Sequence, residues 1–190
     1  MNTYSENYTY FAKLLHWLIA GLILFNGLLA LTDEWWGESA IRPIINFHKS
    51  LGITVLLLVV LRILWRITHK APTMPTHLKI WEKSLAILGH TLLYILILLV
   101  PLTGWLHDSA WKDASTHPMT LFGLISWPRI SFIMNLNSIT KEYLHHVFGI
   151  IHTTLNYSLY GILFIHIAAV FKHERVDKIS VLSRMSLKSR

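Results

Sequence analysis

Four apolar stretches separated by short polar ones organise the sequence, at about residues 11–31, 46–67, 82–106 and 142–171. Each reaches the ~20 apolar residues that a helix needs to cross a bilayer. The pattern predicts an all-α, membrane-spanning four-helix bundle, a single domain over residues 1–190. Tyr4, Tyr8 and Tyr10 suit an interfacial belt before the first span, and Trp35 and Trp36 suit one in the 32–45 connection. The segment 71–77, APTMPTH, carries two prolines and reads as a break. Pro101 and Gly104 lie toward the outer end of the third span, where Pro101 is expected to kink the helix and its bundle neighbours to accommodate it. The longest connection, 107–141, contains LFGLISWP, read as a short interfacial segment over the outer end. The first stretch is too long for the core of a secretory signal. With His16 and Asn26 inside it, and no small-x-small cleavage site after it, it is expected to be retained.

Charge sets the expected orientation. Most of the 17 basic residues fall in three places: Lys13, the 62–83 connection (Arg62, Arg66, Lys70, Lys79, Lys83) and the tail from Lys172 to Arg190. The 32–45 connection is acidic, with Asp33, Glu34 and Glu38 against Arg42. Positive residues stay inside, so both termini are expected in the cytoplasm of a bacterial inner membrane. That accounts for the formal charge of +7 without a nucleic-acid partner. Cysteine is absent, which excludes disulfides, cysteine-ligated clusters and thioether-attached haem.

Histidines inside the spans change the picture, because such a group is costly in lipid without a partner. His152 and His166 are 14 residues apart, ~40° short of four turns, so they share one face ~21 Å apart along the axis. His16 lies about five residues, ~7–8 Å, inside the cytoplasmic end of its span, and His166 about six residues inside its own. His48 stands ~27 Å above Arg66 and His152 ~30 Å above Lys172. Two matched depths on three helices suit two haem groups with histidine on both axial sides. Depth pairs His16 with His166 for a cytoplasmic-side haem iron and His48 with His152 for an outer-side one. His145, ~10 Å further out than His152, reads with His146 as interfacial, one of the two remaining the alternative outer ligand.

Three further residues admit two readings each. Arg62 shares a face with His48 at the cytoplasmic-side level, and either pairs with a haem propionate or only obeys the charge rule. Lys49 either neutralises an outer propionate or attracts a small anion. His90 either bonds a propionate or a quinone carbonyl, or packs. His69, His77, His107, His117 and His173 read as solvated loop or edge residues.

These residues resemble the bacterial cytochrome b561 family: His16–Trp17, the HKSLG of His48–Gly52, the GHTLLY of Gly89–Tyr94, and His152 and His166 followed by His173. The resemblance runs through all four spans. It implies two b-type haems on His16, His48, His152 and His166, and electron exchange with ubiquinone or another quinone. In a characterised relative it implies oxidation of superoxide at the outer face, which would make the protein an oxidoreductase. The expected function is therefore a di-haem transmembrane electron-transfer cytochrome whose partners are lipid, quinone and superoxide. Two alternatives stand beside it: an electron-transfer subunit of a membrane-bound hydrogenase or dehydrogenase, and a histidine-lined metal-ion carrier. The carrier would favour carboxylates inside the spans, and all ten Asp and Glu residues fall at ends or in loops.

Overall fold

The computed structural model describes residues 7–32, 35, 37–74 and 78–188. Tyr4, Asp33, Glu34, Trp36, Pro75, His77 and Arg190 lie outside the described residues. Four long helices carry the fold: α1 (Tyr10–Leu31), α2 (Glu38–Thr68), α3 (Ile80–Ser109) and α5 (Ser138–Phe171). All four are long and apolar enough to cross a membrane. Between α3 and α5 lie a hairpin, β1 (Thr120–Leu121) and β2 (Ile125–Ser126), and the single turn α4 (Ser131–Met134). The start of α1 and the end of α5 lie at one end of the bundle, here the termini end, and the 110–137 segment lies at the other, the loop end.

Local chemistry sets the helix starts. Thr9 caps α1 by accepting from the Ala12 N–H at 3.3 Å, and Asn137 caps α5 by accepting from Thr140 at 2.9 Å. Glu82 reaches back to the Lys79 N–H at 3.0 Å and closes a capping box on α3. Its other carboxylate oxygen meets Lys172 Nζ at 2.5 Å, tying the end of α5 to the start of α3.

Two expected boundaries need correction. The 32–45 connection is shorter than its polarity suggested, because α2 starts at Glu38 behind Gly37. Glu38 favours a helix N-terminus, and Pro43 sits early enough that only the exposed first turn loses a bond. The 107–141 connection is likewise shortened, since α3 runs to Ser109 and α5 opens at Ser138.

Helix α1 lies along α2, α2 along α3, and α3 along α5. One core joins Leu15 and Ile19 of α1 to Val55 and Val59 of α2. The second, toward the loop end, joins Ile53 and Leu56 to Met119 and Leu121 of the hairpin. Large apolar residues such as Leu24, Leu57, Leu88 and Phe164 remain exposed along the spans, as a lipid-facing surface requires. The described tail folds back over the termini end. Trp17 Nε1 donates to the Met185 carbonyl at 2.8 Å, and Arg184 donates to the Thr73 carbonyl at 2.6 Å.

Candidate functional site

Histidines gather at two levels of the bundle. Toward the loop end, α2 presents His48 and α5 presents His152, with ring centroids 6.3 Å apart and planes at 87°. His152 Nδ1 lies 2.9 Å from the Val100 carbonyl and 3.2 Å from Thr103 Oγ1. A carbonyl only accepts, so Nδ1 carries the proton and Nε2 keeps its lone pair. That is the tautomer of a metal-ligating histidine, oriented by a backbone acceptor. Gly104, one turn along α3, makes the approach possible: a Cβ there would stand 3.1 Å from His152 Cε1.

Toward the termini end, three imidazoles from three helices converge. His90 of α3 stands 5.5 Å from His166 of α5, centroid to centroid. His16 of α1 is within electrostatic reach of His166, His90 and Arg62. Arg62 is held in place: Nη1 donates to the Ala12 carbonyl at 2.8 Å and Nε to Tyr94 Oη at 3.1 Å. Its other nitrogen lies 3.5 Å from His16 Nδ1. Between the two levels, Tyr160 of α5 donates to the Ile23 carbonyl of α1 at 2.9 Å. A side chain at Gly27 would collide with that ring.

The loop-end donor set fits a haem group. A metal–imidazole bond is about 2 Å, and the 6.3 Å between the His48 and His152 ring centres suits two such bonds in line plus the two half-rings. His16, His48, His152 and His166 are each half-buried, on helices that also bear the apolar walls a porphyrin needs.

The other candidates fall apart from these sets. His145 stacks on His107, centroids 3.9 Å apart and planes at 13°, with its Nδ1 3.0 Å from the His107 carbonyl. The sequence reading left His107 as an edge residue, and no spacing rule within α3 or α5 signals that stack. Lys49 turns to Asp108 at 2.5 Å, over the Trp111 ring. Arg129 takes the other Asp108 oxygen at 2.8 Å and donates to the carbonyls of Ala114 and His117. Asp108 is 5% exposed, the hub of a loop-end network that sequence reasoning missed. At the termini end His173 bonds Asp177 at 2.7 Å, and Lys172 meets the same oxygen at 2.8 Å. The Lys172 and His173 bonds hold the Asp177 carboxyl below its ordinary range.

Comparison with known proteins places these features in company. The family model described as prokaryotic cytochrome b561 matches residues 7–187. A relative named cytochrome b561 homolog 2, from Escherichia coli (strain K12), is 26% identical over 193 residues, covering 97% of this chain and 93% of its own.

Proposed function

The chain belongs to the prokaryotic cytochrome b561 family, and from that premise we propose a di-haem electron carrier that links a donor at the loop end to quinone at the termini end. Family membership makes it a multi-pass bacterial membrane protein, a b-type cytochrome in electron transfer. The finer reading rests above all on His48 facing His152 at 6.3 Å with the His152 tautomer set by Val100.

Haem b, when bound, supplies the one-electron chemistry. His48 and His152 would hold the loop-end iron, and His16 and His166 the other. Arg62, anchored on Ala12 and Tyr94, is placed to pair with a propionate. His90, exposed beside His166, offers a ring nitrogen to a quinone carbonyl. The termini end faces the cytoplasm of the inner membrane, in keeping with its basic residues. The donor we assign to the loop end is superoxide. Lys49 and Arg129 both pair with Asp108, and Arg42 and Lys49 both lie over the Trp111 ring, so cations outnumber the one carboxylate there. Two superoxide anions yield two dioxygen molecules and two electrons, which with two protons turn one quinone into quinol.

Purified protein tests the reading. Bis-imidazole b-type bands and two haems per chain by pyridine haemochrome are the expected result. One haem, or none, overturns the di-haem assignment.

A further inference from the structure

We propose that the tip of the β1–β2 hairpin, Phe122–Ile125, seats in the lipid leaflet at the loop end and anchors the 110–137 segment to the membrane as well as to the bundle. The ten residues from Met119 to Pro128, MTLFGLISWP, carry no charge. The hairpin divides them into two sides. Met119 and Leu121 are buried against Ile53 and Leu56 of α2. Phe122, Leu124 and Ile125 turn away and are 48%, 86% and 62% exposed.

Depth identifies what they meet. The Phe122 N–H donates to Ser50 Oγ at 2.9 Å, which fixes the hairpin at the level of Ser50. Ser50 lies 16 residues from Arg66 on α2, about 24 Å along the helix, which is near the outer edge of a hydrocarbon core of about 30 Å. Backbone at that depth needs internal partners. Ser50 supplies one, and the bonds from Leu124 N to the Leu121 carbonyl and from Trp127 N to the Met119 carbonyl, both 3.0 Å, supply others.

The turn itself is built to display an apolar tip. Phe122 and Gly123 are both left-handed, with φ of 52° and 71°. Asn or Gly is the usual residue for the first of these positions, so an aromatic ring is held outward at a conformational cost. Its surroundings continue the lipid-facing surface: Phe122 meets Phe47 of α2 at 5.8 Å, and Phe47 meets Phe25 of α1 at 6.3 Å. A patch of a few side chains falls far below the roughly 800 Å² per partner of a stable protein interface. Lipid needs no such area.

The natural chain has no cysteine, so Leu124→Cys and Ile125→Cys each create a unique spin-label site. Ser115→Cys, in the exposed turn before the hairpin, serves as the water-side control. Power-saturation EPR would be run on labelled holoprotein in phosphatidylcholine–phosphatidylglycerol vesicles. Labels at 124 and 125 should relax more with oxygen than with an aqueous nickel chelate, and the label at 115 should do the reverse. Chelate accessibility at 124 and 125 equal to that at 115 would put the tip in water and overturn the proposal. Protection from both reagents would also overturn it, by showing that protein covers the tip.

Discussion

His48 and His152 face one another edge to face at 6.3 Å, and the proton on His152 Nδ1 points to the Val100 carbonyl. A histidine so arranged has one free nitrogen, and that nitrogen has only a small range of directions. Position and tautomer are therefore set by the chain before any iron arrives.

The ligand pairs should separate by mutation. His48→Ala or His152→Ala is expected to remove one haem per chain and leave the second spectrally intact; His16→Ala or His166→Ala should remove the other. His145→Ala, which breaks the stack on His107 and the bond to its carbonyl, should keep both. Pyridine haemochrome counts and low-temperature spectra of each variant check this. Loss of the loop-end haem in His145→Ala but not in His152→Ala would reject the pairing.

Gly104 should be intolerant of a side chain. A Cβ would approach His152 Cε1 to 3.1 Å, and valine adds two methyl groups to that contact. Turning the ring breaks its bond to Val100, and losing such a supporting bond typically costs 10–100-fold in metal affinity. Haem retention at the loop-end site of Gly104→Val, measured by titration of apoprotein, should fall by about that factor.

The approach of His48 to His152 was legible before the fold. The depth match works because a buried imidazole has few uses in lipid and because helix rise is constant, so His48 and His152 could be paired by counting. The His107–His145 stack and the Asp108 hub were not legible. They join residues 38 and 21 positions apart across a loop, and no helical period relates them. The hairpin escaped for another reason: strands of two residues are too short for alternation to show. At α2 the hydropathy falls away over Glu38–Pro43 although the helix continues, so a boundary drawn on hydrophobicity came too late.

Tyr160 and Gly27 should be energetically coupled. Gly27→Ala puts a methyl group into the Tyr160 ring and forces its hydroxyl off the Ile23 carbonyl. Overpacking and a lost buried hydrogen bond together cost about 2–4 kcal/mol. Tyr160→Leu removes the obstacle, so the double variant should be more stable than the two single losses added together. Thermal denaturation of the four proteins measures the cycle, and simple additivity would show that the contact is not made.

Asp108→Asn should loosen the loop end. It leaves the Arg129 guanidinium, 7% exposed, and the Lys49 ammonium without a counter-charge. Removing one partner of such a network costs about 2–4 kcal/mol, below the fully buried limit because Lys49 is partly solvated. Tryptic cleavage within 110–137 should become faster, while the termini-end haem keeps its spectrum.

The tail contacts should be acid-labile in a defined direction. The Lys172 and His173 bonds depress the folded pKa of Asp177, so their contribution is present above the ordinary carboxylate value of 3.8. It is lost as pH falls through the lower folded value. Hydrogen exchange over 178–186 should therefore be protected equally from about pH 5 upward, after correction for intrinsic rates, and rise only in stronger acid. Asp177→Asn should lack the protection at every pH.

The donor assignment makes the most exacting prediction. Superoxide is a small anion, and a partly solvated cationic cluster raises anion on-rates in a way that salt suppresses. Lys49 contributes to that field while already bound to Asp108 at 2.5 Å, so its removal leaves the Asp108–Arg129 pair electrically balanced. Stopped-flow mixing of oxidised holoprotein with superoxide should give fast haem reduction that slows as salt rises. Lys49→Ala should reduce the rate several-fold and flatten its salt dependence; Lys49→Glu, which sets a second carboxylate beside Asp108, should reduce both further. The haem spectrum of each variant must stay intact, which separates a lost field from a lost ligand at the neighbouring His48. Slow reduction of the unmodified protein, insensitive to salt, would reject superoxide as the donor and leave the di-haem reading standing, because the ligand geometry of His48 and His152 does not depend on what delivers the electron.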